Sequence, residues 1–353
     1  MLIGSCILAR EIQLLLLPSH VDIVDEMPDG LTRQPANQLY RELGGPTLFK
    51  LAGVNPQPVF VSVLQHGNEW TGWDAIRSVL DQFEVLPRTL WLLVANPLAA
   101  RYGLRRLAGQ HDMNREWPGG NADTPMVRAF ADIVEQARQA DVFASVDLHN
   151  TSGRNPPYGA VTSLHSMSLS LARQFDPRII YFKTPVGTQT GAFSQICPSI
   201  TLECGMSGNP EGYARSVAFL KWLLHRHSLD HREARDSVVY QTVARLMIDP
   251  AVEFGFGTNA PLSLDHHLDS LNFVDLPKGF ELAKWDGPGE PMIALDSNDV
   301  DVTREYLSYT GQTVALGSKA VPLMFTCDAR VVRQDCLGYL MRQMPLELET
   351  DHV

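Results

Sequence analysis

Residues 59–70 read VFVSVLQHGNEW, and this stretch decides the fold. The β-branched run over 59–64 is typical of a buried strand. It leads through His66-Gly67-Asn68-Glu69 into a pattern that predicts a helix over 71–83. The order is therefore strand, turn and helix, with two potential metal-binding side chains in the turn.

Strands and helices continue to alternate after this stretch. Thr124-Pro125 predicts the start of a helix whose apolar residues recur at helical spacing. Such alternation predicts an α/β fold in which a mostly parallel mixed sheet is flanked by helices. The further predicted strands lie at 89–95, 142–148, 179–182 and 199–203, and a closing helix at 212–227.

The pattern changes beyond His231. Short apolar runs are separated there by turn signals such as Asp286-Gly287-Pro288-Gly289, which predicts a smaller β-rich domain. We therefore predict an α/β domain over residues 1–232 and a β-rich C-terminal domain over 233–353. Residues 1 to about 50 form an N-terminal extension of the first domain.

Charge and hydropathy exclude two classes of partner. The 353 residues contain 29 Lys and Arg against 40 Asp and Glu, a net charge of −11 that is spread along the chain. This argues against nucleic acid or an anionic membrane as partner. No uninterrupted apolar stretch reaches the ~18 residues of a membrane span. The apolar run over 2–17 is interrupted by Arg10 and Glu11, so we predict a folded strand or helix there.

Five cysteines are widely spaced and form no CxxC pair. The spacing predicts neither a disulfide framework nor a thiolate zinc site. It favours the reducing cytoplasm as the location of the protein. A homo-oligomer is compatible with the sequence.

His66, Glu69 and His149 fall at or just beyond the C-terminal ends of predicted strands, where open α/β sheets bind their ligands. Two imidazoles and one carboxylate leave a fourth position open for water, which is the arrangement of a catalytic zinc ion. Such a metal lowers the pKa of its water to about 7 and polarises a carbonyl oxygen. We therefore predict one Zn²⁺ per chain and hydrolysis of an amide or ester.

Two carboxylates are candidates for roles beside this metal. Glu203 ends the apolar run over 199–202 and is suited to take a proton from the attacking water and pass it to the leaving nitrogen. Asp147 lies two residues before His149, on the same face of a strand, and can orient that ligand. An ordinary buried ion pair is the alternative for Asp147.

A cationic loop lies between the predicted strand over 89–95 and the helix that starts near Thr124. Its candidate residues can bind a carboxylate or a developing oxyanion, although a solvated basic loop is the alternative for some of them. They are Arg101, Arg105, Arg106, Asn114 and Arg115.

The chain resembles the succinylglutamate desuccinylase/aspartoacylase family of the zinc carboxypeptidase clan. The resemblance covers roughly residues 55–230, and the segment 285–292 resembles part of the family's C-terminal β-domain. The matching segments are His66-Gly67-Asn68-Glu69, Asn96-Pro97, Asp112-Met113-Asn114-Arg115, Asp147-Leu148-His149-Asn150 and Leu202-Glu203-Cys204-Gly205.

The resemblance implies a zinc carboxypeptidase-like fold and cleavage of an N-acyl amino acid. It implies His66, Glu69 and His149 as zinc ligands and Glu203 as general acid and base. It also implies that Asn114 and Arg115 bind a substrate carboxylate.

Two departures from the family pattern concern the substrate. The arginine that polarises the scissile carbonyl in aspartoacylase corresponds to Leu107, so Arg105 or Arg106 must serve after a small shift, or the role is vacant. Aspartoacylase also uses an arginine and a tyrosine shortly before the catalytic glutamate, and residues 189–193 contain neither. With Phe193 expected to line the pocket, this favours succinylglutamate-like or other N-acylated amines.

The predicted function is thus zinc-dependent hydrolysis of the amide of a small N-acyl amino acid. One alternative is a zinc metallocarboxypeptidase that acts on peptides, which shares the ligand types but typically spaces the third ligand farther away. A second is a zinc-binding module without catalysis.

Overall fold

The computed structural model describes residues 17–230 and 237–345, so most of the predicted element over 2–17 lies outside the described residues. The chain forms two compact units. Among the described residues, the first contains residues 17–149 together with Pro185–Leu202 and Tyr213–Asp230. The second contains Asn150–Thr184, Glu203–Gly212 and residues 237–345. The predicted domain boundary at residue 232 stays a prediction.

Strands account for much of the described chain. They are β1 Asp22–Val24, β2 Thr47–Leu51, β3 Gly53–Val63, β4 Leu86–Val94, β5 Ala144–His149, β6 Tyr158–Val161, β7 Arg178–Tyr181, β8 Ser199–Glu203, β9 Val238–Ile248, β10 Phe254–Phe256, β11 Leu262–Leu264, β12 Glu281–Trp285, β13 Met292–Leu295, β14 Leu307–Thr310, β15 Thr313–Leu316, β16 Val321–Leu323 and β17 Gly338–Met344.

The helices in the described ranges are mostly short. They are α1 Tyr40–Leu43, α2 Thr71–Leu80, α3 Pro97–Arg101, α4 Pro125–Gln139, α5 Ser166–Phe175, α6 Gln189–Phe193, α7 Pro210–His225, α8 Thr303–Tyr306 and α9 Ala329–Gln334, with 3-10 turns at Leu31–Arg33, Ala36–Gln38, Met113–Arg115 and Leu268–Leu271.

The strands of the first unit follow the order β1-β2-β4-β3-β5-β8. Strand β3 pairs in parallel with both β4 and β5, and Val61 lies opposite Val146. Residues 58–63 of β3 are all buried, as expected for a strand covered on both faces. Because β3 and β5 run parallel, the segments that follow β3 and end β5 meet at one edge of the sheet.

Helix α4 shows how local sequence determines one layer of this unit. The Thr124 hydroxyl accepts a hydrogen bond from the backbone N–H of Val127, and Pro125 occupies the first helical position. The face that contains Phe130 and Ile133 is buried in a cluster that also holds Phe60 of β3. The predicted helix start is therefore confirmed.

The second unit contains two groups of strands. In the first, β6, β7 and β9 run parallel, whereas β13 and β17 pair antiparallel with β9. In the second, five strands form a separate sheet in the order β10-β11-β12-β15-β14. The predicted fold class, a mostly parallel mixed α/β sheet with helices and a smaller β-rich part, is confirmed. No helix in the described ranges is long and apolar enough to cross a membrane.

Candidate active site

The turn after β3 places the first two candidate ligands. Leu64 adopts a φ of 57°, which turns the chain out of the strand. Gly67 then packs against the backbone of α3, where an added Cβ would lie 2.2 Å from the nitrogen of Ala100. Only glycine permits this approach, so Gly67 fixes the path of the chain between His66 and Glu69.

His66, Glu69 and His149 form a compact buried cluster. The Nδ1 atom of His66 lies 2.8 Å from Oε1 of Glu69, and Nδ1 of His149 lies 2.8 Å from Oε2 of the same carboxylate. One ligand atom from each side chain lies within 4.8 Å of the other two, so the group can hold a metal ion. The sequence-predicted ligands are thus brought together.

The outer nitrogen of each imidazole contacts a second carboxylate. Nε2 of His66 lies 3.0 Å from Oδ1 of Asp112, and Nε2 of His149 lies 2.7 Å from Oδ2 of Asp147. A carboxylate behind a histidine holds the ring and leaves its other nitrogen available for a metal. The donor set therefore fits a metal that accepts two Nδ1 atoms and one carboxylate. The contact of Asp147 was expected, whereas the role of Asp112 was not foreseen.

The charges of this cluster stabilise one another. Burial raises the pKa of the Glu69 carboxyl, but the facing imidazoles of His66 and His149 lower it more, and the net pKa lies well below its usual range. Asp112 behaves in the same way: burial raises its pKa, but His66 and Arg105 lower it by more, so the net pKa lies below its usual range. Both carboxyl groups are therefore ionised, as metal ligation and histidine support require.

Two neighbouring arginines have different environments. Nη2 of Arg105 donates to Oδ2 of Asp112 at 2.9 Å, and its Nη1 lies 3.5 Å from Oε1 of Glu69. Nη1 of Arg106 instead donates to the backbone oxygen of Gln110 at 2.6 Å, and its side chain is exposed. The structure brings Arg105 to the candidate metal ligands, and the described contact of Arg106 is with its own loop.

Asn114 and Arg115 lie in the 3-10 turn that follows Asp112. The Asn114 Nδ2 atom is 3.1 Å from Nε2 of His149, and Asn114 Oδ1 accepts a hydrogen bond from the backbone N–H of Gln189 at 3.1 Å. Arg115 is partly exposed and donates through Nη1 to the backbone oxygen of Asn114 at 2.7 Å. Asn114 is therefore part of the buried cluster, and Arg115 lies at its margin.

A buried polar network surrounds Asp147. Ser62 donates to Oδ1 of Asp147 at 2.6 Å, and Nε2 of Gln65 donates to Oδ2 at 2.8 Å. The Trp117 indole donates to Oε1 of Gln65 at 2.9 Å, and Gln189 contacts both Ser62 and Gln65. None of these four side chains was identified from sequence. Two of them carry a signal in the sequence that could have identified them: Ser62 and Gln65 are polar residues in or directly after an apolar run.

Glu203 and Phe193 complete the set of sequence-predicted residues. Glu203 is the last residue of β8, is 7% exposed, and belongs to the second unit. Phe193 is fully buried, and its ring stacks on Phe60 at a centroid distance of 4.5 Å. The expectation that Phe193 lines a substrate pocket is wrong, because its ring belongs to the hydrophobic core together with Trp117.

The sequence of this chain matches one known protein family. Residues 57–211 match the model of the succinylglutamate desuccinylase/aspartoacylase catalytic domain. Comparison with curated proteins finds no significant match.

Three solved structures share the fold. Succinylglutamate desuccinylase/aspartoacylase from Rhodobacter sphaeroides is 16% identical, with a TM-score of 0.56 over 85% of this chain and 89% of that chain. The succinylglutamate desuccinylase from Chromobacterium violaceum is 18% identical, with a TM-score of 0.52 over 83% and 87%. Murine aminoacylase 3 is 17% identical, with a TM-score of 0.51 over 82% and 96%.

At these identities the solved structures establish the fold, and the family model identifies the domain. The match includes all three candidate metal ligands as well as Glu203, and it supports a hydrolase of the desuccinylase/aspartoacylase type. The predicted resemblance is confirmed: residues 57–211 match the catalytic-domain model of the succinylglutamate desuccinylase/aspartoacylase family.

Proposed function

We propose that this chain hydrolyses the amide bond of a small N-acyl amino acid and that His66, Glu69 and His149 hold one zinc ion for the reaction. The observation that carries the proposal is the cluster itself, in which two Nδ1 atoms lie 2.8 Å from the two oxygens of one carboxylate. A bound zinc ion supplies Lewis acidity that polarises a carbonyl and lowers the pKa of water.

Glu203 is the proposed general acid and base. It ends β8, which lies next to β5 in the sheet, and β5 ends at the ligand His149. Its carboxylate takes a proton from the attacking water and delivers it to the departing nitrogen, so that the amine leaves as a neutral group.

Arg105 is the proposed partner of the scissile carbonyl. Its guanidinium lies 3.5 Å from a carboxylate oxygen of Glu69 and is itself oriented by Asp112. Charge develops on the carbonyl oxygen as water attacks, and an oriented cation stabilises that charge. Arg106 was an equal candidate from sequence, but its exposed side chain and its bond to Gln110 favour a role within the loop.

Asn114 and Arg115 are proposed to bind the substrate carboxylate. Arg115 uses one described N–H to reach the backbone of Asn114, and a guanidinium carries five N–H donors, so the planar group can also bind a carboxylate in bidentate fashion. Asn114, anchored by Gln189, holds the turn from which Arg115 projects.

The proposed substrate class rests on the composition of the segment before Glu203. Residues 189–193 contain neither arginine nor tyrosine, and Gln189 and Phe193 are fully buried. We therefore favour succinylglutamate-like or other N-acylated amines over a substrate that needs a second cationic clamp here. The cytoplasm remains the predicted location; the four described cysteines, Cys197, Cys204, Cys327 and Cys336, are free thiols.

The variant Glu203→Gln tests the proposal. It keeps the shape of the side chain and removes its basicity, so turnover of an N-acyl amino acid panel should be abolished while zinc stays bound. Wild-type protein is assayed in parallel on short peptides, which a carboxypeptidase would prefer. Full activity of Glu203→Gln, or zinc content without any hydrolysis by the wild type, would count against the proposed reaction.

A further inference from the structure

A tryptophan determines the orientation of Gln65. The indole N–H of Trp117 can only donate, and it lies 2.9 Å from Oε1 of Gln65. Trp117 is itself immobilised, because it is fully buried and its ring stacks on Phe130 at a centroid distance of 4.1 Å. The amide nitrogen of Gln65 must therefore point the other way.

That nitrogen faces the carboxylate behind His149. Nε2 of Gln65 lies 2.8 Å from Oδ2 of Asp147, and the same oxygen lies 2.7 Å from Nε2 of His149. Oδ1 of Asp147 receives the Ser62 hydroxyl at 2.6 Å. Asp147 is fully buried, so both oxygens depend on these donors to compensate for lost water.

Gln189 completes the network from the other side. Its Oε1 accepts from Nε2 of Gln65 at 3.1 Å, and its Nε2 donates to Ser145 at 3.1 Å. The two N–H groups of the Gln65 amide thus each have an acceptor. Because its oxygen and its nitrogen both have partners, the Gln65 amide has one orientation. It can therefore hold the Asp147 carboxylate in one orientation as well.

We propose that Gln65 is a positioning residue of the metal site: anchored by Trp117, it holds Asp147 so that His149 presents Nδ1 to the metal. This inference rests on the proposed metal-dependent function. Gln65 touches neither the metal ligands' donor atoms nor the proposed substrate groups, and it acts through Asp147.

The isosteric variant Gln65→Glu tests the inference directly. A glutamate still accepts from Trp117, but it places an oxygen instead of an N–H group against Asp147, and two acceptors repel. Loss of support behind a metal-binding histidine typically costs about 10- to 100-fold in metal affinity. We expect a loss in that range for Zn²⁺, measured by competition with a chromogenic chelator, and an altered visible spectrum of the Co²⁺-substituted protein.

A second variant and a matched control complete the design. Trp117→Phe keeps an aromatic ring and removes the donor, so zinc affinity should fall in the same direction by a smaller factor. Thr190→Val removes the buried hydrogen bond between the Thr190 and Thr201 hydroxyls, 2.7 Å apart, without touching Asp147. This control should lose stability and keep the zinc affinity and cobalt spectrum of the wild type.

The possible results distinguish failure of the proposed metal site from failure of the proposed role of Gln65. Wild-type protein that binds neither Zn²⁺ nor Co²⁺ overturns the proposed metal site, and the inference with it. Wild type that binds metal, with Gln65→Glu equally tight and spectrally unchanged, overturns the inference alone. So does an equal loss in Thr190→Val. If Gln65→Glu does not fold, Trp117→Phe carries the test, and unchanged affinity there overturns the inference.

Discussion

Replacing Arg105 by methionine tests which arginine serves the proposed reaction, because the change removes the guanidinium and keeps a long side chain. The side chain of Arg105 is 27% exposed and reaches both Asp112 and the metal-site carboxylate Glu69. If it stabilises charge on the carbonyl oxygen, its loss should lower kcat by about 10²- to 10³-fold, equivalent to about 2.7–4 kcal/mol.

The same variant also loses an ion pair, and that effect must be separated from catalysis. The pair between Arg105 and Asp112 is mostly buried, so we expect the free energy of unfolding to fall by about 1–2 kcal/mol. Asp112 retains His66 as a partner, so the metal cluster should persist. Zinc content, kcat and KM are therefore measured on the same preparation with a panel of N-acyl amino acids.

Arg106→Met is the matched control. It removes the same chemical group from the adjacent position, where the guanidinium contacts only the backbone of Gln110 among its described hydrogen bonds. We expect its kcat to stay within a few-fold of the wild type. Equal losses in the two variants, or a loss confined to Arg106→Met, would refute the assignment. Arg105→Lys should rescue only partly, because an ammonium group cannot reproduce the planar fork.

Two further predictions concern the core. Phe193→Ala removes a ring that stacks on Phe60, so the free energy of unfolding in urea should fall by about 3–5 kcal/mol, and a loss below about 1 kcal/mol would contradict the core position. Burial raises the pKa of the Cys336 thiol to about 12, so iodoacetamide at pH 8 should not label Cys336 in the folded protein, whereas it should label it in denaturant; mass spectrometry of the Cys336 peptide distinguishes the two.

The strands and the grouping of the candidate metal ligands could be predicted because their signals are local. The run over 199–203 coincides with β8, and the candidate ligands His66 and His149 follow or end buried apolar runs. Element ends were less accurate: the helix predicted over 71–83 ends at Leu80, where Asp81 leaves the helix and its side chain accepts from Thr32. Such a tertiary contact is invisible to periodicity.

The surroundings of the candidate metal ligands were harder to predict, because their geometry depends on packing between distant segments. Phe193 was expected at a pocket from its place before Glu203, but helix α6 turns its ring inward against Phe60. The same short helix begins with Gln189, which reaches Ser62 and Gln65, more than a hundred residues away in sequence. No spacing rule connects residues so far apart.

The two histidines of the candidate metal site illustrate this difference most directly. His149 is backed by Asp147, two residues earlier on the same strand, and alternation alone was enough to suggest the pair. His66 is backed by Asp112, which comes from a loop 46 residues away and is shared with Arg105.

The two supporting carboxylates lie in different surroundings. Asp147 belongs to a buried strand, and Gln65 and Ser62 donate hydrogen bonds to it. The other belongs to a partly exposed loop, next to the arginine proposed to meet the substrate. A strand holds catalytic geometry rigidly, whereas a loop carries the contacts that select a substrate. The sequence therefore predicts the grouping of the three candidate metal ligands well, and it predicts poorly the loop contacts that we propose for the substrate.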